Sequence, residues 1–154
     1  MRHLGRWLKW GLLALIGLFL AWQLWLLGWV LLWKWVDPGT TRFMEIRLAE
    51  LQVRNPAARL QQQWLPYRQI SPYLKRAIIA AEDAKFVDHE GFDWDGIQKA
   101  LEKNQKRGRT VAGGSTISQQ LAKNLFLTPN KTYLRKAEEA LITLMLETLW
   151  SKQR

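Results

Sequence analysis

Ser71-Pro72-Tyr73-Leu74-Lys75-Arg76-Ala77-Ile78-Ile79-Ala80-Ala81-Glu82-Asp83-Ala84-Lys85-Phe86-Val87-Asp88-His89-Glu90-Gly91 is the stretch on which the fold reading turns. Ser71 offers a helix N-cap, and Pro72 takes the first helical position, where a missing N–H costs nothing. Leu74, Ala77, Ile78 and Ala81 recur at three and four, which predicts a helix that buries one face and carries Glu82 near its end. If that helix continues through His89, then Glu82, Phe86 and His89 fall on one side and Asp83 points elsewhere. A carboxylate behind the apolar run Ala77 to Ala81 is partly desolvated, a setting that suits a general base. Solvated acids at a helix end explain Glu82 and Asp83 just as simply. His89, taken alone, reads as a structural residue that orients a neighbouring carboxylate.

About twenty residues on comes Gly113-Gly114-Ser115-Thr116-Ile117-Ser118-Gln119-Gln120-Leu121-Ala122-Lys123-Asn124. The Gly pair breaks the preceding helix, and Ser115 can cap a new one over roughly Thr116 to Leu125. Backbone N–H groups at such a start suit an anion, but the Gly-Lys-Ser/Thr order of a Walker phosphate loop is absent. Gln119 and Lys123 share one face, with Gln120 and Asn124 in the adjacent row. A capped helix with a polar exposed face is the plain alternative. With the turn Thr128-Pro129-Asn130-Lys131 and then Tyr133-Leu134-Arg135-Lys136, the segment also matches a helix-turn-helix DNA reader. Further on, Arg135-Lys136-Ala137-Glu138-Glu139 gathers two cations and two acids, either as surface ion pairs or as a second carboxylate, Glu139, beside an Arg suited to phosphate.

Upstream, Trp10 to Trp33 has Gln23 as its only strongly polar side chain, long enough to cross a hydrocarbon layer needing roughly 20 helical residues. Lys9 and Lys34 bracket it, with Trp at both ends. The exit Leu32-Trp33-Lys34-Trp35-Val36 lacks the small residues of a signal cleavage site. Arg2, Arg6 and Lys9 favour a cytoplasmic N-terminus, which sends the rest of the chain outward.

The 154 residues allow this span and one modest domain. There is no Cys, so disulfides and thiolate chemistry are excluded. His3 is the only His besides His89, which argues against a His-based metal site. The net charge is +10, of which four positives precede Asp37, leaving +6 for the remainder. That surplus suits a polyanion without choosing among nucleic acid, lipid headgroups and a pyrophosphate. Asp37-Pro38-Gly39-Thr40-Thr41 is a hinge. Phe43 to Val53 has helix-compatible spacing and stops at Asn55-Pro56, Trp64-Leu65-Pro66-Tyr67 is an irregular link, and Trp94 to Leu101 is a short helix. A last amphipathic helix starts near Tyr133, and its face of Leu141, Leu144, Met145 and Leu149 has few partners within the chain. No strand is expected, so the class is mostly α.

Glu-Asp-x-x-Phe-x-x-His-x-Gly (82–91), Gly-Gly-Ser-Thr-Ile-x-Gln-Gln-Leu-x-Lys-Asn (113–124) and Arg-Lys-x-x-Glu (135–139), in that order, resemble the peptidoglycan glycosyltransferases. The likeness covers residues 70–154, and the single span agrees with the monofunctional branch of that family. It implies a lysozyme-like α-helical glycosyltransferase domain at 43–154, after a cytoplasmic tail (1–9), a transmembrane helix (10–33) and a hinge (34–42). It further implies an enzyme of cell wall biosynthesis that polymerises lipid II into β-1,4 glycan at the outer face of the bacterial cytoplasmic membrane, inverting at C1 and releasing undecaprenyl pyrophosphate. Glu82 would be the general base and Glu139 the second catalytic carboxylate. Lys123, Lys131 and Arg135 would steady the pyrophosphate, with Ser115, Gln119, Gln120 and Asn124 lining the cleft and Asp83, Phe86, His89, Thr116 and Lys136 also binding substrate. A divalent cation (Mg or Mn) could assist there, although the sequence shows no ligand set. The implied partners are lipid II, the nascent glycan strand, the membrane and other cell wall synthesis and division proteins, with no nucleic acid. The family pattern continues past the third motif with a further helix and an Ile-Leu-Glu-x-Tyr-Leu-Asn element, so this chain is expected to lack the C-terminal part of the domain and to polymerise poorly by itself. A lysozyme-like glycan hydrolase and a membrane-tethered DNA-binding regulator are the competing readings.

Overall fold

The computed structural model describes residues 2–154, with side chains from Gly5 onward, so those of Arg2 and His3 in the basic flank lie outside the described residues. Six α-helices and one short 3-10 turn make up the regular structure, and no strand occurs among the described residues. The chain divides into two compact units, Met1–Val36 and Asp37–Arg154.

The first unit is the helix α1, Arg2–Trp33. Its stretch Gly5–Trp33 is long and apolar enough to cross a membrane, spanning about 43 Å at 1.5 Å per residue. The helix runs back through the segment read as a tail, because nothing between Leu4 and Lys9 breaks it. Trp22, Trp25, Trp29 and Trp33 form a ladder along one side, with neighbouring ring centroids 4.9 to 6.1 Å apart.

The second unit opens with α2 (Arg42–Arg54), capped by Thr41 and ended by Asn55, then a link to the 3-10 turn Tyr67–Gln69 and to α3 (Pro72–Glu82). Trp64 donates its indole N–H to the Pro38 carbonyl at 3.0 Å, fastening the link to the hinge. α4 covers Trp94–Arg107, α5 Ile117–Phe126 and α6 Tyr133–Leu149. α4 is longer than the expected Trp94 to Leu101. Its extra turns are good helix formers, and Lys106 and Arg107 suit the negative end of the helix dipole. It stops at Gly108 in the left-handed conformation (φ 60), five residues before the Gly pair expected to break it.

The core lies where α5 packs on α6, and α2 also packs against α5. Ala122, Leu125 and Leu127 meet Ile142 and Leu146 there, all buried. Full burial of each large aliphatic side chain contributes about 1.5–3 kcal/mol. Leu141 and Leu144 of the face expected to lack partners remain exposed, whereas Met145 and Leu149 are half-buried. The one-sided burial predicted for α3 is not found. Leu74 and Ile78 are exposed, and no residue of the helix is buried. The reason is that α3 borders an open groove rather than packing onto another helix. Ile78 and Ile79 form one wall, and Phe86, Ile117, Leu121, Leu146 and Trp150 form the others.

Candidate active site

α3 ends at Glu82, so the continuous helix to His89 does not form. Asp83 leaves helical geometry (φ −163, ψ 80), and this single step separates the two acids. Glu82 stays at the surface, whereas Asp83 turns inward and is buried. The expected arrangement is therefore reversed: Asp83, not Glu82, shares a side with His89. His89 Nε2 lies 3.0 Å from both Asp83 carboxylate oxygens, as the structural reading of this His anticipates. Nor is Glu82 desolvated, because the apolar run behind it faces the open groove.

Thr116, rather than Ser115, caps α5. Its hydroxyl accepts from the Gln119 N–H while the Gln119 side chain accepts from the Thr116 N–H, a reciprocal capping box. This makes Gln119 a buried structural residue rather than part of an exposed polar face. The Ile117 N–H donates to Asp83 Oδ2 at 3.1 Å. Three backbone donors at this helix start are thus already taken by the protein's own side chains, so the start is not the open anion site it suggests in sequence. Thr116 also donates its hydroxyl to the Gly91 carbonyl at 2.6 Å, closing the 83–91 loop onto α5.

Ser115, free of capping, accepts from Lys136 Nζ at 3.1 Å. Lys136 and Arg135 both donate to the Glu139 carboxylate, whose side chain is only 3% exposed. Glu139 is therefore clamped between two cations, and Arg135 Nε is buried without a hydrogen-bond partner. On the other side of Ser115 a small cleft is lined by Glu82, Asp83, Asp93, Gly113, Gly114 and Thr116. Gln120 Nε2 donates to Glu82 Oε2 at 2.9 Å and holds this exposed carboxylate at the cleft. Gly114 is needed here, because a Cβ would stand 2.9 Å from the Ile97 Cα of α4.

Two acids, one hydroxyl and a cation pair thus lie along one row: Glu82, Ser115, Lys136, Glu139, Arg135. Of the other expected residues, Asp83 and Thr116 line the same cleft and Gln120 bonds Glu82, whereas Lys123, Asn124, Lys131 and Phe86 do not line it. Lys123 Nζ sits over the Phe43 ring at 6.0 Å, Asn124 is half-buried and Lys131 is exposed. Phe86 faces the apolar groove, with Lys152 over its ring at 4.5 Å. Sequence reading missed a second polar cluster, in which Ser118 and Lys152 both donate to Glu147 and Lys152 also donates to the His89 carbonyl. It also missed Asp93, which caps α4 through the Gly96 N–H and lines the cleft. Asp93 carries a local cue, an acid before an amphipathic run, but Ser118 and Glu147 carry none. Among the described residues no three His, Asp or Glu side chains converge as a metal site. Glu139 is already charge-compensated by Arg135 and Lys136.

The Transglycosylase family matches residues 49–154, which hold the entire row. A biosynthetic peptidoglycan transglycosylase of Dechloromonas aromatica (strain RCB) is 79% identical over all 154 residues, which cover 67% of that protein. Proteins of the same description from Azoarcus sp. (strain BH72) and Aromatoleum aromaticum are 61% identical over 154 and 143 residues, covering 67% and 62% of their lengths. The chain belongs to the transglycosylase family, and hence to the glycosyltransferases. It spans about two thirds of the length of these relatives.

Proposed function

We propose that the chain carries the lipid II polymerase site of peptidoglycan synthesis, with Glu82 as general base and Lys136 and Arg135 as the pyrophosphate-facing cations. The observation that carries this reading is the pairing of an exposed, Gln120-held carboxylate with a buried-carboxylate cation pair across Ser115. Glu82 accepts the proton of the acceptor 4-hydroxyl as its oxygen attacks C1 of the donor sugar. The C1–O bond to the pyrophosphate breaks, and negative charge grows on the departing oxygen. Lys136 and Arg135 stabilise that charge, an effect that lowers the barrier because it is larger in the transition state than before it. A positioned general base typically contributes about 10²–10⁴-fold. Glu82 is solvated without substrate, so its activation accompanies the exclusion of water by the bound sugars. α1 holds the domain at the membrane in which the lipid-linked donor resides, with the catalytic unit on the outer side of the cytoplasmic membrane. The exposed cations of α4 and its exit, Lys99, Lys103, Lys106, Arg107 and Arg109, add attraction to anionic headgroups.

The test joins the chain to the part of the Dechloromonas aromatica relative that it does not span, in liposomes with lipid II. Glycan strands and released undecaprenyl pyrophosphate are expected, and Glu82→Gln should lower the rate at least 100-fold. Full activity in that variant would remove Glu82 from its role.

A further inference from the structure

We propose that Asp83 and His89 are positioning residues, a clamp that fastens the end of α3 to the first turn of α5 and so sets the direction of Glu82. This rests on the reading of Glu82 as the base, but the clamp itself stands on geometry. Asp83 is the C-cap of α3, adjacent to Glu82, and its carboxylate is buried with two partners on different segments. One is the Ile117 N–H, 34 residues on in sequence, and the other is His89 Nε2. Ile117 is the first residue of α5, and its N–H has no carbonyl partner within the helix. Asp83 is the group that satisfies it. The negative carboxylate at this helix start also complements the helix dipole.

His89 fixes the carboxylate from the opposite side. The tautomer with hydrogen on Nε2 donates to Asp83 and leaves Nδ1 buried with no partner, beside the Phe86 ring at 6.4 Å between centroids. Its backbone is held in turn by Lys152 Nζ at 2.9 Å and, two residues on, by the Thr116 hydroxyl on Gly91. Both ends of the 83–91 loop are therefore bound to the first turn of α5, the helix that carries Gln120. Because Gln120 holds Glu82, the angle between α3 and α5 decides where the Glu82 carboxylate stands in the cleft. Asp83 and His89, expected from motif likeness to touch substrate, act instead through their neighbour.

Two measurements on the intact chain and on the joined protein test this. Amide hydrogen exchange of the chain in detergent micelles compares wild type, Asp83→Asn, His89→Ala and His89→Gln. The Ile117 amide is expected to exchange at least tenfold faster in Asp83→Asn and His89→Ala. The Gln119 amide, held by Thr116, should change less than about threefold and so reports that α5 is intact. In the joined protein, His89→Ala should lower kcat at least tenfold with KM for lipid II within about twofold. His89→Gln, whose amide can donate to Asp83, should recover kcat to within about threefold. Unchanged Ile117 exchange in Asp83→Asn overturns the clamp, and so does a rise in KM at constant kcat, which marks substrate contact. Should Asp83→Asn fail to fold, the His89 pair decides by the same criteria. An inactive wild-type joined protein would count against the assignment of Glu82, while the exchange result would still judge the clamp.

Discussion

Replacing Glu139 by Gln measures what its two ion pairs contribute to the fold. The Glu139 side chain is 3% exposed and receives Arg135, whose side chain is 16% exposed, and Lys136, which is 44% exposed. Removing one member of a buried ion pair costs about 3–5 kcal/mol, because the remaining charge is buried without compensation. Here the loss falls mainly on Arg135. Lys136 can swing to water and to Ser115, and an exposed partner adds little. The lower end, about 3 kcal/mol, is therefore expected for Glu139→Gln. At about 4 °C per kcal/mol for a unit of this size, Tm falls by roughly 10–15 °C. Glu82→Gln loses only an exposed interaction with Gln120, and substitutions of that kind stay within about 0.5 kcal/mol. Thermal unfolding of both variants in the same detergent, followed by circular dichroism, gives the comparison. A Tm for Glu139→Gln within about 2 °C of wild type would show that the carboxylate is not clamped as described.

Two further outcomes follow from local geometry. Gly91 has φ 87, and a Cβ there would stand 2.8 Å from Thr143 Cγ2 and 2.9 Å from Glu147 Cγ. Gly91→Ala should destabilise by about 2–4 kcal/mol in urea unfolding, from strain plus overpacking; a loss under about 1 kcal/mol would contradict the close approach of the loop to α6. Lys85 and Asp95 bridge at 2.8 Å in solvent: the hydrogen bond and charge of Lys85 hold the Asp95 carboxyl below its ordinary range, and the same pair raises the Lys85 ammonium. The small stability this pair gives is present above the unfolded pKa of Asp95 and fades as pH falls through the folded value. At the alkaline end it fades as pH rises through the folded value of Lys85. Lys85→Met should move the Asp95 titration upward by NMR, and an unmoved Asp95 would mean that the bridge is absent in solution.

The order of helices, the apolar span and the family were legible because their signals are local. Apolar spacing, Pro72 at a helix start, the bracketed apolar run and three ordered motifs each act within a few residues of chain. Even so, the cap of α5 is Thr116, one residue beyond the expected Ser115. Ser115 and Thr116 are equally able to cap, and only the match of Thr116 with Gln119, together with the pull of the Gly91 carbonyl, selects between them. The two competing functional readings, hydrolase and DNA reader, share the same local signals. The family match covers the motifs as a set and favours neither of these readings.

From the chain alone came the membrane-length helix, the all-helical class and the chemical types gathered near the cleft. Which of two adjacent acids meets solvent was settled only in three dimensions. A helix that stops after Glu82 turns Asp83 inward, where it accepts a hydrogen bond from α5, 34 residues away. The clustering of Ser118 with Glu147 and the enclosure of Glu139 likewise depend on α5 packing against α6. Burial and pairing are properties of that packing, because a side chain loses water only when another part of the chain arrives to replace it.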